Sequence, residues 1–116
     1  MFKEKKYTVI KEAISKDLAI FIANNFLLKK QVYDTFLKHK YISPYDATYG
    51  EYEEEGGQIP NTFSSYGDIT METLMLKCQP KMEEVTELKL NPAYTYARVY
   101  KKGDELKRHK DRFSCE

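Results

Sequence analysis

The 116-residue chain has no tryptophan, only two cysteines, and few glycines and prolines. Cys78 and Cys115 lie far apart and form neither a C-x-x-C pair nor a disulfide framework. We therefore expect two free thiols in a reducing compartment, which makes the cytoplasm the expected location.

Long apolar runs are also missing. The longest run, LAIFIA at residues 18–23, is far shorter than a membrane-spanning segment. The N-terminal stretch MFKEKKYTVIKEAI lacks the apolar core of a signal peptide. We therefore expect neither membrane insertion nor a targeting segment.

The chain has no strong excess of one charge, since 19 basic and 18 acidic residues give a net charge of +1. No global field therefore draws it towards nucleic acid or an anionic membrane. A basic cluster lies at residues 101–112, but acidic residues interleave with it. This pattern favours a solvated face of mixed charge over a nucleic-acid site, although it could steer an acidic or peptide substrate.

With 41% hydrophobic and 32% charged residues, the composition is that of a soluble globular protein. The length predicts a single domain over residues 1–116. The β-branched stretch YTVIKEAI at residues 7–14 predicts a short strand. Ser15 then fits an N-cap for a helix to about Lys40, which Asn24 and Asn25 could divide in two. Its predicted apolar stripe consists of Leu18, Phe21, Ile22, Leu28, Val32 and Phe36.

Residues 41–67 show no periodicity and combine prolines, glycines, an acidic run and aromatic residues. They predict a long loop, either a solvated insertion or a lid that faces substrate. Asp68 fits the N-cap of the next helix, within which Pro80 should produce a kink or a break near Gln79. The helix carries an apolar stripe typical of core, on which Cys78 should be buried and inert: Met71, Leu74, Met75, Cys78, Met82 and Val85.

The period changes from 3.6 to 2 after Pro92. Tyr94, Tyr96, Arg98 and Tyr100 alternate with small or apolar residues, which predicts a strand with one aromatic, polar face. A turn at residues 102–104 and a second short strand at residues 105–109 should follow. In such a strand His109 and Asp111 would project to the same side and could share one divalent metal such as Fe(II).

The segment YTYARVYKKGDELKRHKDRFSCE, residues 94–116, resembles the prolyl 4-hydroxylase-like branch of the Fe(II)/2-oxoglutarate-dependent dioxygenases, above all the small versions of phages and marine bacteria. A weaker likeness extends through YISPYDATYG, IPNTFSSYGD and the helix YGDITMETLMLKCQPKMEEVT. The resemblance implies an α+β fold in which N-terminal helices pack on the first strands of a double-stranded β-helix (jelly-roll). It also implies that the protein is located in the cytoplasm of a bacterial cell, either with or without phage infection.

The same resemblance implies that His109 and Asp111 are metal ligands for Fe(II). It implies that Tyr100 faces the iron and the co-substrate 2-oxoglutarate, although an aromatic side chain that only fills a barrel interior fits the position equally. Arg98 and Tyr96 share that face and are candidates for substrate contact, whereas Arg112 is better explained by a surface ion pair. No residue is assigned a catalytic role.

The chain departs from the family because it contains neither the second metal histidine nor the Lys or Arg that binds 2-oxoglutarate. His39 precedes the motif and aligns with nothing in the family. We can place four or five strands where the family has about eight. The resemblance therefore implies the N-terminal portion of an oxygenase, with an incomplete barrel whose strand edges favour self-association or pairing with a C-terminal fragment.

Three interpretations remain open. The first is part of a hydroxylase that acts on a prolyl or related C–H bond of a peptide or small molecule, inactive as these 116 residues. The second is a non-catalytic interaction module derived from that fold. The third is an α+β domain in which His109 and Asp111 form only a surface pair.

Overall fold

The computed structural model describes residues 2–110. Within this range the helices are α1 (Phe2–Lys5), α2 (Lys16–Lys38) and α3 (Ile69–Thr86), and the strands are β1 (Glu51–Tyr52), β2 (Phe63–Tyr66) and β3 (Tyr96–Val99). The strands form one antiparallel sheet in the order β1-β2-β3, and the sheet does not close on itself. The fold is therefore α+β, as predicted. No helix in the described range is both long enough and apolar enough to span a membrane.

Helix α2 begins where the sequence predicts. The Ser15 side chain accepts a hydrogen bond from the Leu18 amide at 3.1 Å, which satisfies one of the free donors of the first turn. The helix then continues unbroken to Lys38, so that Asn24 and Asn25 do not divide it.

The predicted apolar stripe of α2 is wrong in part, because Leu18, Ile22 and Phe36 are half-buried whereas the other three members are exposed. The residues that α2 buries are Phe26 and Tyr33, and the Tyr33 side chain is only 2% exposed. Phe21 and Leu28, which the stripe included, are 68% and 60% exposed. The helix carries apolar residues around most of its circumference, so periodicity alone could not identify the buried side.

The strand predicted at residues 7–14 does not form, and a short helix, α1, precedes this segment. Tyr7 and Val9 are mostly exposed. A strand requires a neighbour that completes its hydrogen bonds, and no described strand pairs with this segment.

The loop predicted at residues 41–67 is wrong in part, because it contains β1 and β2. Glu51 pairs with Ser64 and Tyr52 with Phe63. The chain between these strands wraps around the Glu53 carboxylate, which accepts hydrogen bonds from the amides of Gln58 at 2.8 Å and Ile59 at 3.3 Å. The Glu53 side chain thus fixes the conformation of the segment between β1 and β2.

The small core lies where β2 meets α2. Phe63 is 1% exposed, and its ring packs against the rings of Tyr33 and Tyr52 at centroid distances of 5.5 and 5.9 Å. Gly50 allows this packing, since its φ is +122° and an added Cβ would lie 2.5 Å from Phe63 Cε1. Only glycine fits such a position without strain.

Helix α3 has the predicted cap, because Asp68 accepts a hydrogen bond from the Thr70 amide at 2.8 Å. Asp68 also pairs with Lys29, whose ammonium donates to Ser65 Oγ at 2.9 Å and so ties α2 to β2 and α3. Pro80 lies inside α3 without splitting it.

The alternation at residues 94–100 correctly predicted β3, and the turn at residues 102–104 is also present. Asp104 donates its amide to the Lys101 carbonyl at 3.0 Å, and Gly103 takes a φ of +93°. The strand predicted at residues 105–109 is wrong: the segment is irregular and mostly exposed. The described range therefore holds three strands, fewer than the four or five expected.

Candidate functional site

The predicted polar face of β3 is confirmed. Tyr96 and Arg98 interact on it, with the guanidinium carbon 5.2 Å from the ring centroid and Arg98 Nη2 donating to the Tyr96 hydroxyl at 3.2 Å. Tyr66 of β2 stacks on Tyr94 with ring centroids 5.0 Å apart. The alternation of β3 therefore creates a continuous surface of tyrosine rings beside one arginine.

Arg98 is bound mainly to protein groups. Its guanidinium donates to Glu53 Oε2 at 2.8 Å and to Gln58 Oε1 at 3.4 Å, and its side chain is 10% exposed. Burial alone would lower the pKa of Arg98, but hydrogen bonds to Tyr96 and Tyr100 and the Glu53 charge outweigh burial and raise it. These contacts account for the position of the Arg98 side chain without a substrate. Substrate contact by Arg98 and Tyr96 stays a prediction.

Tyr100 follows the last residue of β3 and is 47% exposed. It lies two residues after Arg98 along the chain, and hydrogen bonding to Tyr100 is one cause that raises the pKa of Arg98. An accessible phenol at the end of a strand could contact a small molecule bound over the sheet. The predicted contact with 2-oxoglutarate is compatible with this position and stays a prediction.

The turn after Tyr100 is fixed by one carboxylate. Asp104 accepts hydrogen bonds from the Lys101 amide at 2.8 Å and from the Lys101 ammonium at 2.9 Å. The backbone hydrogen bond is the largest cause that lowers the pKa of Asp104, and the ammonium adds to it. The turn thus sets the direction in which the chain leaves β3 towards His109.

His109 is exposed and does not lie on a strand. Its Nδ1 lies 2.9 Å from the Lys107 carbonyl oxygen. A carbonyl can only accept, so Nδ1 carries the hydrogen in this contact and Nε2 is the acceptor nitrogen of the neutral ring. Metal-binding histidines are commonly oriented in this way, by a carbonyl on the nitrogen opposite to the metal. Asp111, the other predicted ligand, lies outside the described residues.

The described residues do not by themselves assemble a metal centre. Between residues 2 and 110 no group of three or more His, Cys, Asp or Glu side chains is close enough to hold an ion. His39 follows the last residue of α2, where its ring stacks on Tyr41 at 5.5 Å. A facial triad needs three protein ligands, and this range supplies His109 alone among the predicted ones.

A groove of about 470 Å³ was not anticipated from the sequence. It lies between α3 and the segment leading into β3, and its lining includes Met75, Cys78, Met82, Leu90 and Pro92. The stripe predicted as closed core therefore borders an open groove, and the Cys78 thiol is free and only partly buried. Gln79 Nε2 holds the segment by donating to the Leu90 carbonyl at 2.8 Å. The segment leaves the helix at Glu87, which takes a left-handed φ of +59° and donates its amide to the Glu83 carbonyl.

Comparison of the chain with protein-family models, with curated proteins and with solved structures finds no match.

Proposed function

We propose that this chain is the N-terminal portion of a non-haem Fe(II)/2-oxoglutarate-dependent oxygenase of the prolyl 4-hydroxylase-like type, inactive as these 116 residues. One observation carries the proposal. The Lys107 carbonyl oxygen lies 2.9 Å from His109 Nδ1, and a hydrogen bond donated by Nδ1 to it places the ring lone pair on Nε2, the nitrogen that would bind the metal. The order of strand, Tyr100, fixed turn and His109 along the chain is the one that the resemblance implies, although the short strand expected between the turn and His109 is irregular here.

In this proposal His109 and Asp111 supply two iron ligands, and the third comes from outside the 116 residues. Bound iron supplies O2 activation coupled to decarboxylation of 2-oxoglutarate to succinate, with transfer of an oxygen atom to a C–H bond, most often prolyl in this family. The role of Tyr100 is to orient 2-oxoglutarate through its hydroxyl. The tyrosine face of β3 would exclude water above the site and contact a peptide or small-molecule substrate.

The three-stranded sheet would be the first part of a jelly-roll. Within the described range β3 pairs on one side only, with β2, so that its other edge presents unpaired backbone groups. A C-terminal fragment that adds further strands there would complete the barrel and remove the exposed edge. The proposed location is the cytoplasm of a bacterial or phage-infected cell.

The test measures anaerobic Fe(II) binding and succinate formation on this chain and on the longest open reading frame that contains it. We expect weak or undetectable iron binding by the chain, and turnover by the longer form. His109→Ala should abolish that turnover, whereas His39→Ala should preserve it. Tight stoichiometric binding to the 116-residue chain that His109→Ala removes would contradict the assignment of a missing ligand.

A second candidate function is a non-catalytic interaction module. The observation that favours it is the exposure of Tyr66, Tyr96 and Tyr100 on one sheet face, since exposed tyrosines are common in binding surfaces. Absence of turnover from both forms, with retained binding of a peptide that Tyr66→Ala weakens, would favour this function over the enzyme.

A further inference from the structure

The side of α2 that faces away from the sheet forms an uncharged apolar surface flanked by opposite charges. Ile20, Phe21, Leu27 and Leu28 are 49%, 68%, 53% and 60% exposed. Residues with this much apolar area seldom gather on one helix face of a monomer without a partner. The whole surface, called here the outer face of α2, comprises Asp17, Ile20, Phe21, Asn24, Leu27, Leu28, Gln31, Val32, Thr35 and Lys38, all of them exposed.

The polar residues of the outer face follow a seven-residue spacing. Asp17, Asn24, Gln31 and Lys38 form a single line along the helix, because seven residues are close to two helical turns. The line begins with a negative charge, continues with two amides and ends with a positive charge. Neither Asp17 nor Lys38 forms an ion pair with another residue of the described range.

We propose that the outer face of α2 binds the same face of a second copy of this chain in antiparallel orientation. A two-fold axis between Leu27 and Leu28 would place these two leucines against each other. It would also place Asn24 opposite Gln31, and Asp17 opposite Lys38 of the other copy. Each contact then occurs twice, as a two-fold interface requires.

The charges favour the antiparallel over the parallel orientation of the two helices. A parallel pair would set Asp17 against Asp17 and Lys38 against Lys38, whereas the antiparallel pair brings opposite charges together. Antiparallel helices also align the positive end of one helix dipole with the negative end of the other. Each amide can both donate and accept, so Asn24 and Gln31 satisfy each other when the face is covered. The inference is independent of the proposed function.

The test is sedimentation of the full chain over a range of concentrations. We expect a dimer that Leu27→Glu with Leu28→Glu converts to a monomer of unchanged helix content by circular dichroism. Leu76→Glu is the matched control, because Leu76 is equally exposed but lies on α3, and this variant should stay dimeric.

A charge exchange tests the orientation. Asp17→Lys alone and Lys38→Asp alone should each weaken the dimer by about tenfold, since each replaces two attractive contacts by repulsive ones. The double variant should restore wild-type affinity. A monomer at every soluble concentration overturns the proposal, and so does a dimer that survives the double glutamate substitution or is not restored by the exchange.

Discussion

Arg98 of β3 donates a hydrogen bond to Glu53 Oε2 at 2.8 Å and thereby joins segments 45 residues apart. The same carboxylate accepts hydrogen bonds from the amides of Gln58 and Ile59. One glutamate thus closes the loop between β1 and β2 and attaches it to β3.

Replacing Glu53 should destabilise the fold. Glu53→Ala removes the acceptor for Arg98 and for two backbone amides. The Glu53 side chain is only 20% exposed, and the Arg98 side chain is only 10% exposed. We expect a loss of about 2 kcal/mol in the free energy of unfolding, measured by urea denaturation. The control is Glu54→Ala, because Glu54 is exposed and makes no side-chain ion pair within the described range. Equal losses for both variants would contradict the role given to the Glu53 carboxylate.

Acid should weaken the fold through Asp68. Burial alone would raise the pKa of Asp68, but hydrogen bonds and the charge of Lys29, with the amides of Thr70 and Met71, outweigh burial and lower it. A carboxyl whose pKa is lowered by folding stabilises the protein above its unfolded pKa of about 4. That contribution is lost as the pH falls from there through the folded pKa.

Asp68→Asn isolates this effect, because asparagine can still cap α3 but cannot pair with Lys29 as a charge. We expect the variant to be less stable than wild type by about 1 to 2 kcal/mol at pH 7, and the difference to shrink at pH 3. Urea denaturation of both proteins at pH 7 and at pH 3 measures this difference in the free energy of unfolding. A difference that stays constant with pH would show that the ionised carboxylate is not responsible.

Gly50 should tolerate no side chain. Gly50→Ala places a Cβ 2.5 Å from Phe63 Cε1 and 3.1 Å from the Ser64 carbonyl oxygen, at a φ of +122°. We expect a loss of about 2 to 4 kcal/mol in the free energy of unfolding, because the buried ring must shift. Gly56→Ala is the control, since no atom lies within 4 Å of its added Cβ. A thermal melt that ranks the two variants equally would contradict the packing around Phe63.

Tyr100 offers a test specific to the proposed co-substrate. In an active longer form, Tyr100→Phe should raise the KM for 2-oxoglutarate about tenfold, which corresponds to the loss of one hydrogen bond. Tyr66→Phe removes a hydroxyl from an equally exposed tyrosine of the same sheet face and should leave that KM unchanged. Steady-state kinetics with varied 2-oxoglutarate decides it. An unchanged KM for Tyr100→Phe would show that the Tyr100 hydroxyl does not bind 2-oxoglutarate and that the ring serves only in packing.

The site was predictable only in part. Alternation along the sequence indicated that Tyr96, Arg98 and Tyr100 share a face, because neighbouring residues of a strand point to opposite sides. The pairing of Arg98 with Glu53 had no local signal, since it depends on strands that meet across 45 residues. The irregular backbone before His109 was likewise not predictable, because the sequence of residues 105–109 is compatible with a strand.

The sequence by itself determined the features that depend on a few neighbouring residues. Ser15 and Asp68 cap their helices through hydrogen bonds two or three residues away, and the turn at Gly103 is equally local. Only the tertiary structure decided which face of α2 is buried and which extended segments become strands. Tyr33, for example, is buried because the rings of Tyr52 and Phe63 from two strands of the sheet pack against it. Segments 7–14 and 105–109 stay irregular because a strand gains its hydrogen bonds only from a neighbouring strand.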